Sequence, residues 1–172
     1  MWAARVEEGL VFGGLDPVMV DTLKAVPMLL ESADVRVRER LLPETCADEE
    51  DEAQWRRHSV PELERLFLSR AQLVRRDLAG IRKLKHFDAH VILIPDGHTN
   101  AWLASLNAAR LALFVLNDLT AAHMEAEGFG TATSKQQEAM LRIHLLAEVQ
   151  SVLLGDLEID DTGASFEDFI LE

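Results

Sequence analysis

His86, Asp88 and His90 alternate in the middle of the chain, and His98 follows them across the turn Pro95-Asp96-Gly97. On a strand, alternate residues share a face. Two imidazoles and a carboxylate held that way form an open transition-metal site. The H-x-x-x-H spacing comes without the rest of a metalloprotease motif. Histidines scattered along a strand edge explain the pattern more simply, so His86, Asp88 and His90 stand as metal candidates while no metal and no cofactor is expected. Arg110 is the other informative residue. Between Ala101 and Leu116 the polar groups are Ser105, Asn107 and Arg110. A guanidinium keeps its charge, and an unpaired buried one costs several kcal/mol, so Arg110 needs a carboxylate or a surface. Asn107 lies one turn earlier on the same side. Trp102, Asn107 and Arg110 therefore form a candidate interaction or structural polar site. It is either a small anion- or partner-binding site or an ion pair that fixes helix packing, and the structural reading carries more weight.

Other reactive arrangements are missing. No G-x-S-x-G elbow occurs, and Cys46, the one cysteine, sits in an acidic stretch that disfavours a thiolate. Gly128-Phe129-Gly130 lacks the further glycines, the lysine and the preceding strand of a phosphate site. Carboxylate runs such as Glu49–Glu52 are solvated. No catalytic residue is assigned, and the chain is expected not to be an enzyme.

Charge is distributed unevenly. The net charge of −13 opposes nucleic acid and anionic lipid at long range. Trp55–Lys85 nevertheless carries nine Lys/Arg against three acids, whereas Glu44–Glu52 has six acids and Asp156–Glu172 seven, with no base in either. Arg65, Arg75, Arg76, Arg82, Lys83 and Lys85 form a candidate basic face able to track phosphates. A sequence pI near 4.8 argues for a solvated face instead. The acidic tail carries Phe166, Phe169, Ile170 and Leu171, which either dock into the fold or act as a mobile partner motif.

The elements that must position these groups follow from periodicity. Ala4–Phe12 reads as a strand turning at Gly13-Gly14, with His90–Ile94 as its partner. Asp16-Pro17 starts a helix to about Ser32, which Pro27 should kink or divide. Residues 34–42 fit a strand or a helical turn, and Asp48 starts a short acidic helix through Trp55. The capping box Ser59–Glu62 opens a long amphipathic helix to about Lys85, which either packs inward or dimerises. Thr99–Asp118 is a central helix, apolar nearly all round. Thr120–Glu127 extends as a helix until Gly128-Phe129-Gly130 breaks it. A second capping box, Ser134–Gln137, opens the last helix, closed by Gly155. No signal-peptide core is evident among the first thirty residues, and Ala101–Leu116 is short for a bilayer. A soluble, cytoplasmic protein is expected.

The run Trp102-Leu103-Ala104-Ser105-Leu106-Asn107-Ala108-Ala109-Arg110-Leu111 resembles the W-L-x-x-L-N-x-x-R-L pattern of domain-of-unknown-function family 2017, an uncharacterised bacterial family. Leu42-Pro43, the acidic loop and Trp55-Arg56 fit the same arrangement, so the likeness spans about Arg5 to Leu154. The last helix lacks the tryptophan that the family leads one to expect, and the acidic tail is an extension. The resemblance implies no established activity. It does imply relatives encoded near the adaptor of the Clp protease, some labelled as possible regulators.

The expected fold is mainly α (α+β): a helical bundle around a central apolar helix, with a small two- or three-stranded β element. Residues 1–155 form a single domain and 156–172 an acidic tail. The expected function is a non-enzymatic regulatory or protein-interaction domain with an unknown protein partner, no membrane, and room for a homo-oligomer. The alternatives are a metal- or small-molecule-binding enzyme using His86, Asp88, His90 or Arg110, and a nucleic-acid-binding regulator.

Overall fold

The computed structural model describes residues 1–84, 87–125, 127–156, 159 and 163–170. Trp2–Val6 (β1) and Gly9–Leu15 (β2) form an antiparallel hairpin closed by Glu7-Glu8. The turn is thus not at Gly13-Gly14, which lie inside β2. Gly13 is there because the Trp2 indole covers it: a Cβ would sit 2.0 Å from Trp2 Cζ2. Gly14, at φ +68°, lets β2 shift register between Phe12 and Leu15. Spacing cannot tell a glycine that turns the chain from one that lies under a ring.

His90–Pro95 (β4) pairs antiparallel with β2, and Arg82–Lys83 (β3) pairs with β4, giving a four-stranded sheet of order β1-β2-β4-β3. Alternation gives the sheet two apolar faces. Leu10, Phe12, Leu15, Ile92 and Ile94 join the main core with the helices. Val6, Val11, Val91 and Leu84 point the other way, into a second cluster.

Pro17–Leu30 (α1) is capped by Asp16, whose carboxylate accepts from the Met19 N–H at 2.8 Å. Pro27 neither divides nor ends it, because it lies in the last turn and removes a single donor. Val35–Leu41 (α2) resolves the ambiguous stretch as a helix, capped by Asp34. Glu49–His58 (α3) starts at Asp48, with four acids in its first turn and three basic residues in its last, as the helix dipole favours. Val60–Leu78 (α4) follows directly. The capping box at Ser59 does not form: Ser59 is itself helical and its N–H donates to the Trp55 carbonyl at 2.8 Å. The helix also stops short of Lys85. Gly80 turns its N–H onto the Asp77 carbonyl, and Arg82 and Lys83 are taken by the ladder with β4. Ile81 and Leu84 match helical spacing but serve other packing.

Thr99–Leu116 (α5) buries Trp102, Ser105, Leu106, Ala108, Ala109, Ala112 and Leu113. It touches α1, α2, α4 and Ser134–Leu154 (α7), and is the central helix. Each fully buried Leu or Ile in this core stabilises the fold by about 1.5–3 kcal/mol. Ala121–Met124 is a 3₁₀ turn, and Gly128–Thr131 (α6) is helical, so its glycines do not break the chain as spacing suggests. The box opening α7 is one residue earlier than expected: Thr133 and Gln136 cap each other reciprocally. Gly155 closes α7 at φ +80°. The mainly α, α+β architecture is as expected, with seven α-helices among the described residues, but the sheet has four strands rather than two or three, because the stretch read as one strand folds back at Glu7-Glu8 and Arg82–Lys83 adds an edge. None of these helices is long and apolar enough to cross a membrane.

The Thr45–Glu52 corner holds the acidic loop. The Glu52 carboxylate accepts from the backbone N–H groups of Cys46 and Thr45 at 3.0 Å each, and Arg56 lies 2.7 Å away. These bonds, Cys46 first, hold its carboxyl below the usual glutamate range. A depressed carboxyl supports the fold above its unfolded value and loses that support as pH falls through the folded value. In an acid titration followed by NMR, the Thr45 and Cys46 amide signals should move at a pH below the ordinary glutamate range. Glu52→Gln should abolish that step; an unchanged step would assign it to another acid.

Candidate functional site

Near the end of α4, Asp77 turns inward, its side chain 7% exposed. It accepts from the Trp102 Nε1–H at 2.9 Å and from His98 Nδ1 at 2.8 Å. A carboxylate only accepts, so Nδ1 carries the proton. Nε2 then accepts from Arg76 Nη2 at 3.3 Å. His98 ends the 3₁₀ turn Asp96–His98, immediately ahead of α5. Three polar side chains, Arg76 and Asp77 from α4 and His98 from just ahead of α5, thus meet over a wholly buried indole. A carboxylate–imidazole pair is also the arrangement of a general base. Here the carboxylate additionally holds Trp102, which ties α4 to α5.

Arg110 forms a separate node two turns further along α5. Its Nη1 donates to Gln150 Oε1 on α7 at 2.6 Å, and Gln150 Nε2 donates to the Leu103 carbonyl at 3.1 Å. Arg110 Nε is buried and has no hydrogen-bond partner among the described residues. The guanidinium has therefore met a neutral amide rather than a carboxylate. Asn107 is exposed and does not join it. Trp102, Asn107 and Arg110 do not make one site: the indole belongs with Asp77, the guanidinium with Gln150, and the amide faces water.

His86 lies outside the described residues. Asp88 is exposed and pairs with Lys83 at 3.0 Å, and that ammonium holds its carboxyl below the ordinary range. His90 lies on β4 with a buried Nδ1 that has no partner among the described residues. No group of three or more His, Cys, Asp or Glu that could hold a metal occurs among the described residues.

The basic residues do not share one helix face. Arg65, Arg75 and Arg76 lie on α4, Arg82 and Lys83 on β3, and Lys85 is outside the described residues. Each described member has an internal partner. Arg65 pairs with Glu62, Arg75 with Glu31 at 2.5 Å, Arg76 with His98 and Lys83 with Asp88, while Arg82 donates to the Ala79 and Ile81 carbonyls. In the tail, Phe166, Phe169 and Ile170 pack on the outer sheet cluster, so the described part is docked; Leu171 lies outside the described residues.

The family described as Domain of unknown function (DUF2017) matches residues 13–158. The chain belongs to that family. The match takes in both polar nodes, and leaves β1 and the docked segment 163–170 outside the DUF2017 region. The comparison with curated proteins gave no match, nor did the comparison with solved structures.

Within the DUF2017 region two apolar clefts open between helices. One, of about 260 Å³, lies between α1, α2 and α4 and is lined by Leu30, Val37, Leu41, Phe67 and Leu68. Its rim is tied by the Arg38–Glu64 and Arg75–Glu31 ion pairs. The other, of about 310 Å³, lies between α1 and α7, over Val18, Met19, Leu141 and Leu145. Asp16, Glu138 and Glu148 surround it, and the guanidinium there, Arg142, is held by Glu138 at 2.6 Å. Val18 is 64% exposed and Leu141 60%. Residues missed in the sequence are Asp77 and Gln150, the partners that decide what Trp102, His98 and Arg110 do. The signal for Asp77 was its burial-compatible position: an acid among the inward-facing Val74 and Leu78 of an amphipathic helix.

Proposed function

We propose that this domain is a non-enzymatic protein-interaction module that binds a basic, amphipathic segment in the groove between α1 and α7. One observation carries the reading: large aliphatic side chains, Val18 and Leu141, stand mostly exposed on adjacent helices and are surrounded by carboxylates. Apolar anchors seated in such a groove, with lysines or arginines at its edges, are the usual terms of helix-in-groove recognition. Charge decides between occupants. A second copy applied through the same face would bring Asp16 and Glu148 against like charges, whereas a basic segment gains at both; Glu138 is already paired with Arg142.

A photo-crosslinking residue at Leu141 of the full chain tests it in cells. The expected result is a discrete protein adduct that disappears when Val18→Glu is added. Val18→Glu should itself change stability by no more than about 0.5 kcal/mol, because the site is exposed. The same adducts from a crosslinker at Val35, an equally exposed position on α2, would reject the reading.

A further inference from the structure

The outer face of the sheet is built like a receptor for a short linear segment. Val6, Val11, Val91 and Leu84 form its buried floor, with Leu93 beside them. Residues 163–170 lie on it. Phe166–Phe169 is a 3₁₀ turn capped within the segment: the Ser165 hydroxyl accepts from the Glu167 N–H, and Asp168 accepts from the Ser165 N–H. What the segment presents to the sheet is Phe166, Phe169 and Ile170. Ile170 makes an antiparallel bridge to Leu84, and the Phe169 ring lies 5.5 Å from the Trp2 ring. A compact turn with aromatic anchors and one strand-like contact at a sheet edge is the pattern of a bound peptide. Arg82 and Lys83 lead directly into Leu84, Lys83 paired with Asp88 and Arg82 donating to backbone carbonyls, while the segment carries Glu167 and Asp168.

We propose that this face recognises a partner protein's linear segment of the pattern aromatic, acid, acid, aromatic, aliphatic, and that residues 163–170 occupy it in cis as a pseudo-ligand. The chemistry of the occupant fixes the chemistry of the partner. As part of the same chain, the cis segment has an effective concentration on the order of millimolar. A partner therefore has to outcompete the tail, which makes the tail a gate on this surface. The proposal stands apart from the α1/α7 groove, on another face of the fold and with the opposite charge preference.

The test uses the full chain carrying Phe166→Asp and Phe169→Asp, with unchanged helical circular dichroism as the folding control and Ile170→Asp as a second way to release the tail. The probe is the peptide Gly-Ala-Ser-Phe-Glu-Asp-Phe-Ile, followed by amide shifts of Leu84, Val91 and Leu93. The expected result is a Kd on the order of 0.1 mM for the released variants and roughly tenfold weaker apparent binding to the wild type, which already holds its own tail at millimolar effective concentration. A peptide of the same composition in scrambled order should not bind. The proposal fails if the released variants show no shifts, if the scrambled peptide binds equally, or if the wild type binds as well as the variants. It also fails if the wild type is a dimer that the released variants abolish, since the occupant is then a second copy.

Discussion

Asp77→Ala is expected to lower stability by about 3 kcal/mol, and the melting temperature by roughly 6–12 °C for a domain of this size. The carboxylate is almost wholly buried and satisfies two donors, the Trp102 indole N–H and His98 Nδ1–H. Alanine leaves both without an acceptor. Trp102 is fully buried, so no water reaches its nitrogen without opening the core. An orphaned buried donor loses its full desolvation cost, about 1–3 kcal/mol, which exceeds the net value of an ordinary hydrogen bond. Removing one partner of a buried charged group is costly for the same reason. Calorimetric or circular-dichroism melting of the variant checks it. A melting point within a degree or two of wild type would mean that the side chain does not tie α4 to α5.

The second large effect concerns α5 and α7. Gln150→Leu should cost about 2 kcal/mol, because it removes the oxygen that accepts from Arg110 and the N–H that caps the Leu103 carbonyl. The guanidinium then remains part-buried with its Nε already unpartnered. Arg110→Met together with Gln150→Leu should recover most of the loss, to within about 1 kcal/mol of wild type, because two apolar groups of similar volume replace two polar groups that needed each other. Denaturant melts of the two singles and the double give the coupling. If the double variant is as unstable as the sum of the singles, the pair is not a packing device, and Arg110 has a different role.

These two nodes also show where the sequence is readable. Helix α5 is legible because its apolar run is long and its polar interruptions few, and its central place follows. Asp16 and Asp48 mark helix starts because capping is a local event between neighbours in the chain, whereas Asp34 caps α2 although residues 34–42 read equally as a strand. Ser59 does not, although its spacing to Glu62 is right, since a helix already arriving from Trp55 leaves no free N–H to cap. The end of α4 is misread for a non-local reason. Arg82 and Lys83 leave the helix to pair with Val91 and His90, a ladder that periodicity within one segment does not encode. The same holds for the polar sites. Arg110 stands out in an apolar helix, but its partner lies 40 residues away on α7, and nothing in the spacing of Gln150 marks it. Trp102, Asn107 and Arg110 read as one cluster because they share a helix, whereas helix geometry sends them toward different neighbours. The tail shows both limits at once. Its aromatics are visible as anchors, but whether they dock depends on the outer face of a sheet whose strands come from the N-terminus and the middle of the chain.

The proposed interaction module requires that the ionisable groups gathered inside this fold hold its helices together rather than perform chemistry. Groups kept for catalysis are commonly held at a cost in stability, so removing one stabilises; a clamp gives the opposite sign. The deciding measurement is a double-mutant cycle between Asp77→Ala and Trp102→Phe, read as unfolding free energy in the full chain. A destabilising Asp77→Ala and a coupling above about 1 kcal/mol between the two positions are predicted. A stabilised Asp77→Ala variant with negligible coupling to Trp102 would contradict the account and turn attention to the Asp77–His98 pair as a reactive centre.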